Sequence, residues 1–181
     1  MIRPHRAKAA RVKNLRILVP INADTDSQNG VQYALRRQRE GHGVYAVLLN
    51  IAEPLGGLKH LRYRTHGEID RVQTLQAVSF FEAASAPLEA AGVAYCCLFK
   101  EGEVVFSILD AAEQQGCDEI AMPLPKPRWW SFLSREIVPL VVLNRKHIPV
   151  VTVDSDGVPR PSLIGRGRRR GPSRSRAPNQ E

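Results

Sequence analysis

The stretch LRILVPINADTDSQNGVQYALRRQREG, residues 15–41, changes its hydrophobic period halfway along. LRILVPI (15–21) is an apolar run of strand length, whereas SQNGVQYALRRQREG (27–41) sets Val31, Ala34, Leu35 and Gln38 at the spacing of one helix face and stops at Gly41. A strand leading straight into a helix is half of a crossover unit, and the chain repeats it. VYAVLLNI (44–51) is a second strand. After a loop holding Pro54 and Gly56-Gly57, a long helix runs from about Glu68 into FFEAASAPLEAAG, where Pro87 is expected to kink the last turn. VAYCCLF (93–99) is a third strand, and EVVFSILDAAEQQG then places Val105, Ile108, Leu109 and Ala112 on one face before Gly116. DEIAM (118–122) is a fourth strand, SREIVPLVVLNRKH a helix with an internal Pro139, and IPVVTVD (148–154) a fifth strand.

Five apolar runs alternating with four helical segments require a parallel sheet with helices on both faces, because parallel strands need crossovers and helices supply them. The expected fold is therefore a doubly wound, Rossmann-like α/β domain. The loops at the carboxyl ends of its strands, 20–27, 51–67, 100–103 and 123–134, meet on one edge and form the place for a ligand.

The net charge of +8 is unevenly spread. Residues 1–16 hold six Lys or Arg and no acid, and residues 158–181 hold seven Arg and one Glu, so the middle of the chain is net acidic. The division expected is a basic, flexible tail over 1–13, a domain over 14–155, and a disordered Arg-rich tail over 156–181 that has almost nothing to bury. GRGRRRG (165–171) can hold nucleic acid or an anionic surface weakly by counterion release. No apolar run reaches the length of a membrane span or a secretory leader, which points to the cytoplasm. Three cysteines (Cys96, Cys97, Cys117) read as buried thiols of a reduced compartment. The five histidines show no ligand spacing, so no metal site is expected.

No nucleophile-and-base arrangement appears, and no catalytic residue is assigned. Asp24, Asp26, Glu53, Glu101 and Glu103 are scattered over three loops and read as solvated or capping carboxylates, and Ser134 as a helix start. The loop AMPLPKPRWWSFLSREI (121–137) is unusual: it holds no glycine, but three prolines and two tryptophans. Adjacent Trp129 and Trp130, with Phe132, form either a hydrophobic plug at the sheet edge or a contact for a protein partner.

In order and spacing, ILVPINADTDSQNGVQYAL, VYAVLLNIAEP, KEGEVVFSILDAAEQQGCDEIAM and IPVVTV together look like the universal stress protein family, over residues 15 to about 154. The resemblance implies the strand order 3-2-1-4-5 and a homodimer paired through the last strand, here along Ile148, Val150, Val151 and Val153. Nucleotide-binding members of that family carry, after the fourth strand, Gly, two residues, Gly, nine residues, then Gly and Ser or Thr. Those positions fall here on Pro123, Lys126, Glu136 and Ile137, and the acidic residue that contacts adenine becomes Asn22. The scaffold is kept and the ligand motif is lost. The expectation is a cytoplasmic, non-catalytic stress-response binding or regulatory protein with a degenerate nucleotide site, no cofactor and no ATP. Two alternatives stand beside it: a divergent nucleotide or anion binder using Lys126, Arg128 and Arg135 as point charges, and a nucleic-acid or membrane-surface adaptor acting through the tails.

Overall fold

A computed structural model of the chain describes residues 14–23, 25–52, 66–124, 134–145 and 147–161. Its elements run β1 (Leu15–Pro20), α1 (Gln28–Arg39), β2 (Val44–Ala52), α2 (His66–Ala90), β3 (Ala94–Glu101), α3 (Val104–Gln114), β4 (Glu119–Pro123), α4 (Ser134–Asn144) and β5 (Val150–Val153). The five strands form one parallel sheet in the order β3-β2-β1-β4-β5. Both the fold class and the strand order match the expectation.

Because side chains alternate across a strand, the two central strands feed two cores at once. Ile17 and Val19 of β1, with Ala46 and Leu48 of β2, join Val31 and Ala34 of α1 and Ala84 and Leu88 of α2. Leu18, Val47 and Leu49 point the other way, into a core with Val105 and Ile108 of α3, Ile120 of β4, and Val138 and Val141 of α4. Helices α1 and α2 therefore cover one face and α3 and α4 the other. Among the described residues, no helix is long and apolar enough to cross a membrane.

Some boundaries move for local reasons. α2 carries Pro87 within its span and runs on to Ala90, where the Ala91 N–H finds the Pro87 and Leu88 carbonyls. β5 starts at Val150, so Ile148 stands outside the strand and packs under α4 instead. Cys117 is buried, but Cys96 is only half-buried and Cys97 is exposed, against the expectation of three buried thiols. The reason is that β3 is an edge strand, where alternate side chains stay uncovered.

The fold also continues past residue 155. Asp154 turns the chain: its carboxylate accepts from the N–H groups of Asp156 (3.1 Å) and Val158 (2.9 Å), and its Oδ2 accepts from Arg160 Nε at 2.9 Å. These contacts hold the Asp154 carboxyl below its ordinary pKa, the Val158 N–H most of all. Gly157, at φ +68°, is buried against α1, where a Cβ would stand 2.5 Å from the backbone of Gln32 and Tyr33. The chain then returns antiparallel to β5, with Val153 opposite Pro159, Asp154 N–H on the Val158 carbonyl (3.1 Å) and Arg160 N–H on the Thr152 carbonyl (2.8 Å).

Candidate functional site

β1 and β4 are neighbours whose crossovers leave in opposite directions, α1 toward β2 and α4 toward β5. The gap between their carboxyl ends is where an open parallel sheet takes a ligand.

On the β1 side, Ile21 is buried and donates its N–H to the Leu49 carbonyl at 2.8 Å. The side-chain amide of Asn50 donates to the Ile21 carbonyl at 2.9 Å, in a buried position. Together these bonds tie the end of β1 to β2 just before the chain emerges at exposed Asn22. The Asn22 carbonyl accepts from Ser27 Oγ at 3.2 Å, which folds the loop onto a single 3-10 turn, Thr25–Ser27. α1 starts at once, and its first turn presses on the sheet. A Cβ on Gly30 would stand 2.6 Å from Val19 Cγ1 and 3.2 Å from the Ala121 carbonyl oxygen. The amino end of α1 can therefore cross β1 and β4 only because residue 30 has no side chain.

Asn50 was not singled out by its sequence pattern, although it is the one polar residue in VYAVLLNI. Replacing it with leucine leaves the buried Ile21 carbonyl without its donor, and the expected loss is about 1–3 kcal/mol of stability. Urea titration checks this; an unchanged midpoint would show that the amide does not hold the loop.

On the β4 side, Pro123 closes the strand opposite Val153, and the Leu124 N–H is donated to the Val153 carbonyl at 2.9 Å. Pro123 and Pro125 have no N–H at all. The three positions after Met122 thus leave no amide free to meet an anion. Ile137, in the first turns of α4, is half-buried and packs against the core shared with α3. Lys126, Arg128, Trp129, Trp130 and Phe132 lie outside the described residues. Arg135 and Glu136 belong to the first turn of α4, and their side chains also lie outside them.

The third loop is occupied with structure. Glu103 caps α3, its carboxylate accepting from Val105 N–H (3.0 Å) and Phe106 N–H (2.6 Å), as the capping reading requires. Lys100 pairs with Asp110 at 2.5 Å. At the amino ends of β1 and β4, opposite the candidate site, Asp118 accepts the Arg16 N–H at 2.9 Å and Tyr33 donates to Glu119 at 2.9 Å. Burial and that bond raise the Tyr33 phenol well above its ordinary pKa, and burial pushes the Cys117 thiol up to about 11. Both shifts favour the neutral, unreactive form at neutral pH. Among the described residues no group of three His, Cys, Asp or Glu side chains could hold a metal ion.

The sequence profile of the universal stress protein family matches residues 13–154. No curated protein sequence matches the chain. Among solved structures, the universal stress protein UspA of Lactobacillus plantarum superposes with a TM-score of 0.59 at 14% identity, over 78% of this chain and 99% of that one. A universal stress protein in complex with cAMP gives 0.56 at 13% identity, over 78% and 97%. A universal stress protein family member from Arabidopsis thaliana with AMP bound gives 0.54 at 14%, over 77% and 90%. At these identities the likeness is one of fold.

Proposed function

The chain belongs to the universal stress protein family, and on that basis we propose that it is a non-catalytic, cytoplasmic binding and regulatory protein of the stress-response type whose nucleotide site has lost its phosphate cradle. The observation that carries this reading is the inventory of amides after β4. Pro123, at the first position where nucleotide-binding relatives place a glycine beside the phosphates, offers no donor, and of the two residues that follow it Leu124 has spent its N–H on Val153 and Pro125 has none. A hydrogen bond to a charged group contributes about 1.5–3 kcal/mol, so losing two weakens binding by roughly a hundredfold or more. Of the carboxylates on the loops at this edge, Glu103 is engaged in capping α3. The vacated edge, carrying Trp129, Trp130 and Phe132 in its loop, then suits a protein partner better than a nucleotide.

Calorimetry with ATP, ADP, AMP and cAMP is expected to show no binding tighter than about millimolar, the range left to a contact of about 4 kcal/mol. A second reading draws on the structural relatives described with cAMP and AMP: a nucleotide held by Lys126, Arg128 and Arg135 as point charges rather than by backbone amides. A micromolar dissociation constant that disappears in Lys126→Ala and Arg128→Ala would establish that second reading and overturn the first.

A further inference from the structure

The outer edge of β3 is an open template. The Gly102 N–H is given to the Ala52 carbonyl at 3.1 Å, which fixes the phase of the ladder. Even-numbered residues of β3 turn their backbone groups toward β2, and Tyr95, Cys97, Phe99 and Glu101 turn theirs outward. Among the described residues nothing pairs with them. The devices that usually guard such an edge are missing. β3 holds no proline, its register with β2 is unbroken from Ala94 to Glu101, and its one lysine, Lys100, is turned to the other face, where it pairs with Asp110 of α3. We propose that this edge pairs antiparallel with β3 of a second copy of the chain, about a two-fold axis at Cys97.

The strand is self-complementary about that residue. Tyr95 and Phe99 flank Cys97 at equal distances, on the face shared with Ala46 and Leu48. In this register Tyr95 of one copy stands opposite Phe99 of the other, and the pair forms twice, as an isologous contact requires. Glu101 falls opposite Val93 rather than opposite its own copy, so like charges do not meet along the strand. The covering helix fits the same geometry. α2 packs against both β2 and β3, so with strands about 4.8 Å apart its counterpart would lie about 10 Å away, the distance at which helices pack. Its β3 side is marked by Glu89, which accepts from the Tyr95 hydroxyl. Val78 and Leu75 lie about three and four turns earlier on that side and are uncovered, at 47% and 63% exposed, beside an exposed Phe99. A second copy would therefore cover an apolar strip as well as an open ladder. The inference does not rest on the nucleotide reading, and it concerns the edge opposite β5.

The two Cys97 thiols report on the pairing, because a hydrogen-bonded antiparallel pair sets its Cα atoms about 5.5 Å apart, within the span of a disulfide. The test treats the full chain at micromolar concentration with diamide, a neutral oxidant that takes up the two electrons and two protons released as the two sulfurs join. Non-reducing electrophoresis reads the covalent dimer, at twice the 20.2 kDa of the chain, and circular dichroism checks folding. The unmodified chain is expected to link, and Cys97→Ser to lose the product. Two variants separate pairing from chance collision. Glu101→Cys, made in the Cys97→Ser background, puts a thiol at another exposed edge position, but about 26 Å from its counterpart at about 3.3 Å per residue. Phe99→Lys keeps Cys97 and sets an ammonium opposite Tyr95. Both are expected to link at least about tenfold more slowly than the unmodified chain. Chance collision predicts the reverse for Phe99→Lys, since a nearby cation raises the thiolate fraction. Equal rates for Cys97 and Glu101→Cys would overturn the proposal, as would undiminished linking in Phe99→Lys. A Cys97 that does not link would leave the edge to a different protein and overturn it too. If Phe99→Lys fails to fold, the comparison with Glu101→Cys still decides.

Discussion

Replacing Leu18 with alanine is expected to lower stability by about 2–5 kcal/mol and the melting temperature by on the order of 10 °C. Leu18 lies at the middle of the central strand, has no exposed surface, and sits among Val47, Leu49, Val105, Ile108 and Ile120, which converge on it from three other elements. With so many neighbours fixed by the sheet, the void left by the missing methyl groups cannot close by a simple collapse, which places the cost well above the transfer term alone. Leu143→Ala is the matched control. That side chain is 70% exposed, so its loss should change stability by no more than about 0.5 kcal/mol. Urea unfolding of both variants, compared through midpoints at equal slope, gives the test. A loss below about 1 kcal/mol for Leu18→Ala would contradict the central position of β1.

Gly30→Val should be at least as damaging, and for a different reason. In a bare helix, exchanging glycine for a residue with a side chain gains a few tenths of a kcal/mol up to about 1 kcal/mol. Here the first added carbon already lies 2.6 Å from Val19 Cγ1 and 3.2 Å from the Ala121 carbonyl oxygen. The first contact is a buried, branched side chain and the second is backbone, so neither can yield without moving a central strand. Overpacking costs about 1–3 kcal/mol even where a side chain can shift, and the branched valine adds two carbons beyond the first. The expected result is a net loss of about 3 kcal/mol, with α1 lifted from β1 and β4. Gly41→Ala separates space from backbone strain: it has φ +91° but nothing within 4 Å, and should lose only about 1 kcal/mol. Thermal melts of the two variants decide the matter, and a neutral Gly30→Val would mean that α1 does not cross the sheet so closely.

What could be read from sequence alone follows from the range of the interactions involved. The central strands were legible because burial on both faces writes itself as an unbroken apolar run, as in LRILVPI and VYAVLLNI. β3 carries the same kind of run in VAYCCLF, yet nothing local told that it would end at the edge, with Cys97 uncovered. The Glu103 cap was legible only as one of two readings shared by five carboxylates, although it is a local contact with the amides two and three residues on. The role of Asn50 is not legible, because its partner, the Ile21 carbonyl, is 29 positions away, just past the end of another strand. The turn at Asp154–Gly157 has an ordinary loop composition, and the sequence divides it at residue 155, leaving Asp156 and Gly157 in the tail. What fixes it is the space beside Gln32 and Tyr33, which no pattern near residue 157 records. The tryptophan loop was legible as chemistry, while its placement lies outside the described residues.

The position of β1 also bears on how the chain is made. Its partner on one side, β2, begins at Val44, but its partner on the other is β4, and the bond from Arg16 N–H to Asp118 spans 102 positions. A ribosome adding about 5–20 residues per second needs roughly 5–20 s to cover that distance. During this interval the core under α1 and α2 can draw on most of its residues, while Leu18, Val47 and Leu49 still wait for α3 and β4. The nascent chain therefore carries a half-built sheet with one apolar face bare and the inner edge of β1 unpaired. It is this stage of synthesis, rather than the finished domain, that most needs a chaperone's shelter.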